Sequence, residues 1–288
     1  MSVTWDEIEA LRDETYQRTP KLQVRTMAQA LNFVESTGFC FAFKANNSEL
    51  PCLWHAACGQ RNPVYPLHTH HDPFVSLVWQ AKDELAHTKK IYYGKAIKKR
   101  PSMISLEYFP LFYVLNRHSL RPDAYLADYM RGELALDAKN IMDALSDNSP
   151  QITADLRIAS GFSHPQRRPA FDKAMAELQS KMYVVKIAEF YDPFTFLWDL
   201  VDKRFADEIN AAQDISQDSA RKRILAAYFQ TVLVAKPLSI QRLFAWNRHD
   251  IDSALNALVA EGLVSDDLLI DGEKQTFYAN SRIFSSSG

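Results

Sequence analysis

Leu238 to Val264, LSIQRLFAWNRHDIDSALNALVAEGLV, is the stretch on which the reading of the whole chain turns. Ser239 is placed to cap a short helix whose Ile240, Leu243 and Phe244 share one face at 3.6-residue spacing. A break follows at Trp246-Asn247. From Asp250 a second helix carries Ile251, Ala254, Leu255 and Leu258 on one stripe, and Gly262 stops it where a left-handed residue costs least. Leu263-Val264 opens a strand, and the segments 268–270 and 276–278, on either side of Asp271-Gly272, read as a hairpin. Helix, turn, helix and hairpin together make a winged helix-turn-helix. In such modules the second helix enters the DNA major groove, so Arg248, His249 and Asp250 would face base edges. The same module also serves in protein–protein contact, and one copy does not separate the two uses.

Repetition favours the DNA reading. Ala30-Leu31-Asn32 of TMAQALNFVESTGFCFAF sets onto Ala254-Leu255-Asn256, with Val34 on Leu258, Gly38 on Gly262 and Phe39-Cys40 on Leu263-Val264. Between them, Ala174, Leu178, Met182, Tyr183 and Val184 fall on Ala254, Leu258, Gly262, Leu263 and Val264. Ile141, Met142, Ala144 and Leu145, then Ser149-Pro150 with Ile152 and Leu156, supply earlier helices for that copy. Internal repeats at this spacing predict three tandem winged helix-turn-helix modules, mainly α with small β-hairpins. The expected division is residues 1–110, a winged-helix-like module with a basic segment at 82–100; 111–190, the second; and 191–288, connecting helices and the third. The arm over 1–20, with Trp5, Ile8 and Leu11 at helical spacing, belongs to the first. Residues 46–80 read as loop, and 192–233 as mostly helical, with Phe194, Phe196, Leu197, Leu200 and Val201 on one stripe.

At 288 residues the chain suits about two or three small domains, and its 47% hydrophobic and 24% charged residues are those of a globular protein. No apolar run reaches the length of a membrane span, the start is acidic, and three cysteines are a poor basis for a disulfide framework. A cytoplasmic, nucleoid-associated monomer with no membrane contact is expected. The net charge of −2 counts against a generally basic nucleic-acid binder, so any DNA surface must be a local patch. One is present. Lys82, Lys89, Lys90, Lys95, Lys98, Lys99 and Arg100 crowd into residues 82–100 around Tyr92-Tyr93, which suits phosphate contacts beside stacking rings as well as a solvated helix face. Arg157, Arg167 and Arg168 could hold a further phosphate. Cys52, His55 and Cys58 repeat at three-residue spacing and offer a weak zinc alternative, since PCLWHAAC also reads as a buried helix. No phosphate-cradling or serine-hydrolase motif is present, and no cofactor is expected.

The tandem modules, WHAA at 54–57, YYGK at 92–95 followed by KKRPSMISL, and the closing LNALVAEGLV resemble the AlkZ/YcaQ family of bacterial DNA glycosylases, or a divergent AlkZ-related branch. The resemblance implies a metal-free protein acting on double-stranded DNA, damaged or not, by removing alkylated or crosslinked bases. It also implies a Gln-x-Gln or Gln-x-Asp motif shortly after the glycine that ends the first module's helix. There this chain has Phe41-Ala42-Phe43. A phenyl ring can neither orient a water nor stabilise a developing cation by charge. Either Glu35 or Glu49 substitutes for the motif, or the protein is a non-catalytic DNA-binding or regulatory member.

Overall fold

Among the described residues, five helices end at a left-handed residue beside a strand: at Gly38 (φ 75°), Lys89 (φ 55°), Met182 (φ 56°), Leu233 (φ 70°) and Gly262 (φ 69°). The aligned positions Met182 and Gly262 therefore share a backbone conformation as well as a sequence register. The computed structural model describes residues 3–46, 48–117, 121 and 123–286. An N-terminal helix α1 (Trp5–Thr15) precedes a first unit made of α2 (Met27–Thr37), β1 (Phe39–Phe41), α3 (Leu53–Cys58), α4 (Pro73–His87), β2 (Ile91–Ile97) and β3 (Arg100–Ser105). Helices α5 (Phe109–Asn116) and α6 (Ala124–Met130) lead to a second unit of α7 (Leu136–Asp147), β4 (Gln151–Ile152), α8 (Thr153–Ala159), α9 (Arg168–Ser180), β5 (Val184–Tyr191) and β6 (Phe194–Leu200). Short helices α10 (Val201–Arg204) and α11 (Ala206–Asn210) connect to the third: α12 (Gln217–Val232), β7 (Val234–Ala235), α13 (Pro237–Phe244), α14 (Arg248–Ala260), β8 (Val264–Leu268) and β9 (Phe277–Asn280).

Each unit thus runs helix, strand, helix, helix, strand, strand. Its antiparallel sheet places the last strand in the middle, in the orders β1-β3-β2, β4-β6-β5 and β7-β9-β8. The expected class, mainly α with small β-hairpins, is what the chain adopts. Its first repeat is displaced, however. α2 is followed by an edge strand, β1, whose Phe39 pairs with Ile104, so it corresponds to α7 and α12 rather than to α14. The counterpart of α14 is α4, in the segment read as loop; Asp72 caps it by accepting from the Phe74 and Val75 amides at 2.9 and 2.8 Å. A helix ending at a left-handed residue before a strand occurs at two places in the first and third units, at Gly38 and Lys89 and at Leu233 and Gly262, and only long-range strand pairing tells them apart.

Three further expectations are corrected. Residues 194–200 form strand β6, not a helix: Phe194, Phe196 and Trp198 alternate along one side and pair across to β5, with Tyr191 opposite Phe194. Ser239 is not a cap, because α13 already begins at Pro237 and Asn247 instead caps α14, accepting from the Asp250 amide at 2.9 Å. The third hairpin closes around a longer loop than a two-residue Asp-Gly turn, its last strand pair being Leu268 with Phe277.

The arm assigned by sequence to the first unit packs elsewhere. Ile8 of α1 is buried with Leu268, Ile270 and Phe277 of the third unit, and Val3 bridges to Ile270. A second core, including Phe162, Phe171, Tyr183 and Trp198, belongs to the second unit. The largest runs from α2 and the first sheet through α5 to α12 and α14, which unites the first and third units.

Arg117, at the end of α5, joins the first two units. Its side chain is fully buried, its Nη1 donates to Asp202 Oδ1 at 2.8 Å, and its guanidinium lies 4.0 Å from the Tyr183 ring centre. Tyr113 Oη donates to the same Asp202 oxygen at 2.6 Å. Removing one partner of a buried pair strands the other charge, at a cost of about 3–5 kcal/mol. Arg117→Ala is therefore expected to lower the unfolding free energy by about that amount in denaturant titration; a drop below about 1 kcal/mol would show that the pair is not a joint.

Candidate nucleic-acid interface

The basic segment folds mainly into the first unit's hairpin. Ile97 pairs with Arg100, leaving Lys98 and Lys99 as a two-residue turn with φ of 51° and 53°. That turn geometry normally calls for Asn-Gly, because a lysine Cβ is strained at positive φ. Lys99 and Arg100 are exposed, and neither they nor Lys90 and Lys95 form a salt bridge among the described residues. Lys98 donates to the Asn46 carbonyl at 3.1 Å.

Other members of the segment are already occupied. Lys82 is paired with Asp83 and, at 2.9 Å, with Glu189 of the second unit, while Lys89 meets Glu208 at 3.0 Å. Tyr92 is fully buried among Phe109 and Phe205, and Tyr93 lies beneath the Lys82 and Lys186 ammonium groups. Tyr92 is thus a core residue and not an accessible stacking ring. Alternation along β2 puts Tyr92 inward and Tyr93 outward. The segment's charge density was legible in sequence; the partners waiting for Lys82 and Lys89 about a hundred residues away were not.

The free part of this hairpin faces the second unit across a cavity of about 530 Å³. Lys95 of β2 reaches it from one side, Arg157 of α8 and Arg168 of α9 from the other. Tyr93, Phe194, Phe196 and Trp198 supply aromatic walls, with Asp172 and Gln179 among its polar groups. Trp198 is oriented by its Nε1–H donating to Thr153 Oγ1 at 3.0 Å. Arg157 Nε–H is buried and finds no acceptor among the described residues. Lys186 also lines the cavity; its charge is met by Glu189 and Asp83, while burial and the neighbouring Lys82 pull its pKa below the ordinary lysine value. In sequence the rings at 194, 196 and 198 fall in a stretch whose apolar residues also suit a helix, although their period of two is a strand signal.

The remaining candidates are scattered. Arg167 pairs with Asp137 at 2.8 Å and covers the Phe162 ring. Arg248 is exposed but is bound by Asp252 at 2.8 Å, and Asp250 of the same helix is paired with Arg221 at 2.7 Å. Glu35 is exposed on α2. Glu49 is half-buried and has both carboxylate oxygens occupied: Tyr228 Oη donates at 2.7 Å and Ser239 Oγ at 3.1 Å. Phe41 and Ala42 are buried in the first core, with Phe43 packed against it.

Cys52 and His55 are buried and Cys58 partly so, but among the described residues no three His, Cys, Asp or Glu side chains are arranged to hold a metal ion. Burial pushes the Cys52 thiol up to about 12, so it stays a small apolar group. Burial, assisted by Lys44 and Arg18, holds the His55 imidazole down to about 4 from 6.5. The unfolded chain thus takes a proton below pH 6.5 that the folded one refuses, and stability falls progressively from pH 6.5 toward 4. His55→Leu should flatten that acid limb in a Tm-against-pH series; parallel curves for the two proteins would refute the assignment.

Among the described residues, no helix is long and apolar enough to cross a membrane. Comparison with curated proteins finds no similar sequence. Streptomyces sahachiroi DNA glycosylase AlkZ has a similar fold, with a TM-score of 0.63 at 10% sequence identity, covering 99% of this chain and 72% of that one. The family model described as AlkZ related matches residues 24–245. Helical units, small sheets and the matched span agree, and the chain belongs to the AlkZ-related family.

Proposed function

We propose that this protein binds double-stranded DNA, as a cytoplasmic, nucleoid-associated monomer, through three winged helix-turn-helix units of glycosylase-like architecture. The first unit's hairpin carries the main phosphate contacts. The observation that carries the reading is the turn at Lys98-Lys99. Two lysines hold a strained conformation that glycine or asparagine would adopt at little cost, beside Arg100 and on the hairpin whose Lys95 lines the cleft. Strain retained at a charged tip fits a functional contact better than a solvated face. Three units in one chain suit a monomer that surrounds its DNA, whereas helix-turn-helix dimers read paired half-sites.

A second reading concerns chemistry, and a specific observation favours it. Phe41, Ala42 and Phe43 stand where the family's glutamine motif is expected, Glu49 is engaged by Tyr228 and Ser239, and Glu35 lies on an open helix face. None of these is poised to orient a water. A member that binds damaged or intact DNA without excising bases, including a regulatory one, accounts for this arrangement. A base-release assay on duplex carrying an N7-alkylguanine, run beside anisotropy binding, separates the two readings. Release above the spontaneous rate, abolished by Glu49→Gln or Glu35→Gln, would establish excision; binding without release supports the second reading.

Replacing Lys98, Lys99 and Arg100 together by alanine should weaken binding evenly across duplex sequences. It should also flatten the plot of log affinity against log salt by up to about three units, roughly one for each phosphate no longer neutralised. An unchanged slope would return the hairpin to a solvated face. A paired substitution sharpens the test: Lys98→Asn with Lys99→Gly relieves the strained turn, so Tm should rise by a few degrees, about 1 kcal/mol, while DNA affinity falls. If affinity rises along with Tm, the strain serves no DNA contact.

A further inference from the structure

The cavity between the first hairpin and the second unit combines two features that rarely occur together on a passive surface. Its walls are aromatic: Tyr93 from β2, then Phe194, Phe196 and Trp198 in register along β6. Its rim is cationic: Lys95, Arg157 and Arg168 arrive from three separate elements and form no salt bridge among the described residues. Among the described residues, Asp172 is the only acidic side chain in the lining, and the charge of Lys186 is taken up by Glu189 and Asp83. Arg157 adds a buried Nε–H with no acceptor among those residues, a group that is costly to leave unsatisfied and that an anion's oxygen would satisfy. At about 530 Å³ the space lies within the usual range of a small-ligand site.

We infer that this cavity is a nucleotide pocket, taking one unpaired nucleotide with its base against the Phe194–Phe196 wall and its phosphate on Lys95, Arg157 and Arg168. Stacking rings beside an arginine cluster match the two halves of a nucleotide, a flat π-system and a phosphate. The nucleotide has two possible sources. A free mononucleotide requires only the pocket; a nucleotide turned out of a DNA strand rests also on the DNA-binding function proposed above.

Titration with dAMP, followed by calorimetry, tests the pocket directly. Saturable binding is expected at Kd below about 1 mM, with deoxyadenosine and inorganic phosphate each at least about tenfold weaker, because each carries only half of the recognised chemistry. Arg168→Gln, at an exposed position, and Phe196→Ala should each weaken dAMP by about tenfold or more. In the second arm, a duplex with one bulged 2-aminopurine is compared with its fully paired counterpart. About tenfold preference for the bulge, with a change in 2-aminopurine emission that Phe196→Ala removes, assigns the pocket to an extruded nucleotide. Binding of dAMP without that preference assigns it to the free nucleotide. If neither dAMP nor the bulge is recognised while paired duplex still binds with a steep salt slope, the pocket inference fails and the DNA reading survives. If dAMP binds but no duplex does, the pocket stands and the DNA reading falls.

Discussion

The fully buried Arg117 guanidinium, clamped by Asp202 and stacked on Tyr183, sets the geometry on which the rest of the molecule depends. Arg117 follows α5, Asp202 lies just beyond β6, and Tyr183 directly precedes β5. A planar, permanently charged group held by hydrogen bonds and a ring permits only a narrow range of angles between the parts it joins. Around it the ion pairs of Lys82 and Lys186 with Asp83 and Glu189 tie α4 to β5. The second unit has a core of its own, but its Met182 and Val185 are buried in the larger one, so apolar packing and these polar contacts together orient it against the first.

That orientation creates the cleft. Lys95 and Arg168 are far apart in sequence and line one cavity because β2 and α9 are held side by side. The chain's net charge of −2 conceals this, since it sums the basic residues of the first hairpin and cleft with acidic residues elsewhere in the chain. Local potential rather than net charge decides where an anionic partner approaches. The three units share a connectivity but not a surface.

Glu49 illustrates how the environment assigns a role to a residue. In sequence it is an unpaired acid near a missing motif; in the fold it accepts from Tyr228 and Ser239 and holds the loop after β1 to the third unit. Burial and the adjacent Glu49 charge raise the Tyr228 pKa well above its ordinary value, so that hydroxyl remains a donor. A carboxylate so committed stabilises the contact between two units at the expense of its availability for chemistry.

The amino-acid pattern alone determined the class of the protein, the repeat and the charge density. Apolar spacing over 251–258 and 174–178 follows the 3.6-residue period, and the turns at Gly262 and Met182 follow from local conformational preference, so both were legible without coordinates. Local pattern could not distinguish α2 from α4 as the first unit's third helix, because a helix ending at a left-handed residue precedes either an edge strand or a hairpin, and only the pairing of Phe39 with Ile104 decides between them. Nor could it tell that Tyr92 is buried while Tyr93 lines a cavity, or that Lys82 is neutralised while Lys99 is exposed. Those outcomes depend on side chains about a hundred residues away, brought near by tertiary packing. Electrostatic and packing partners are properties of distance in space, and the chain's order specifies them only through the completed fold.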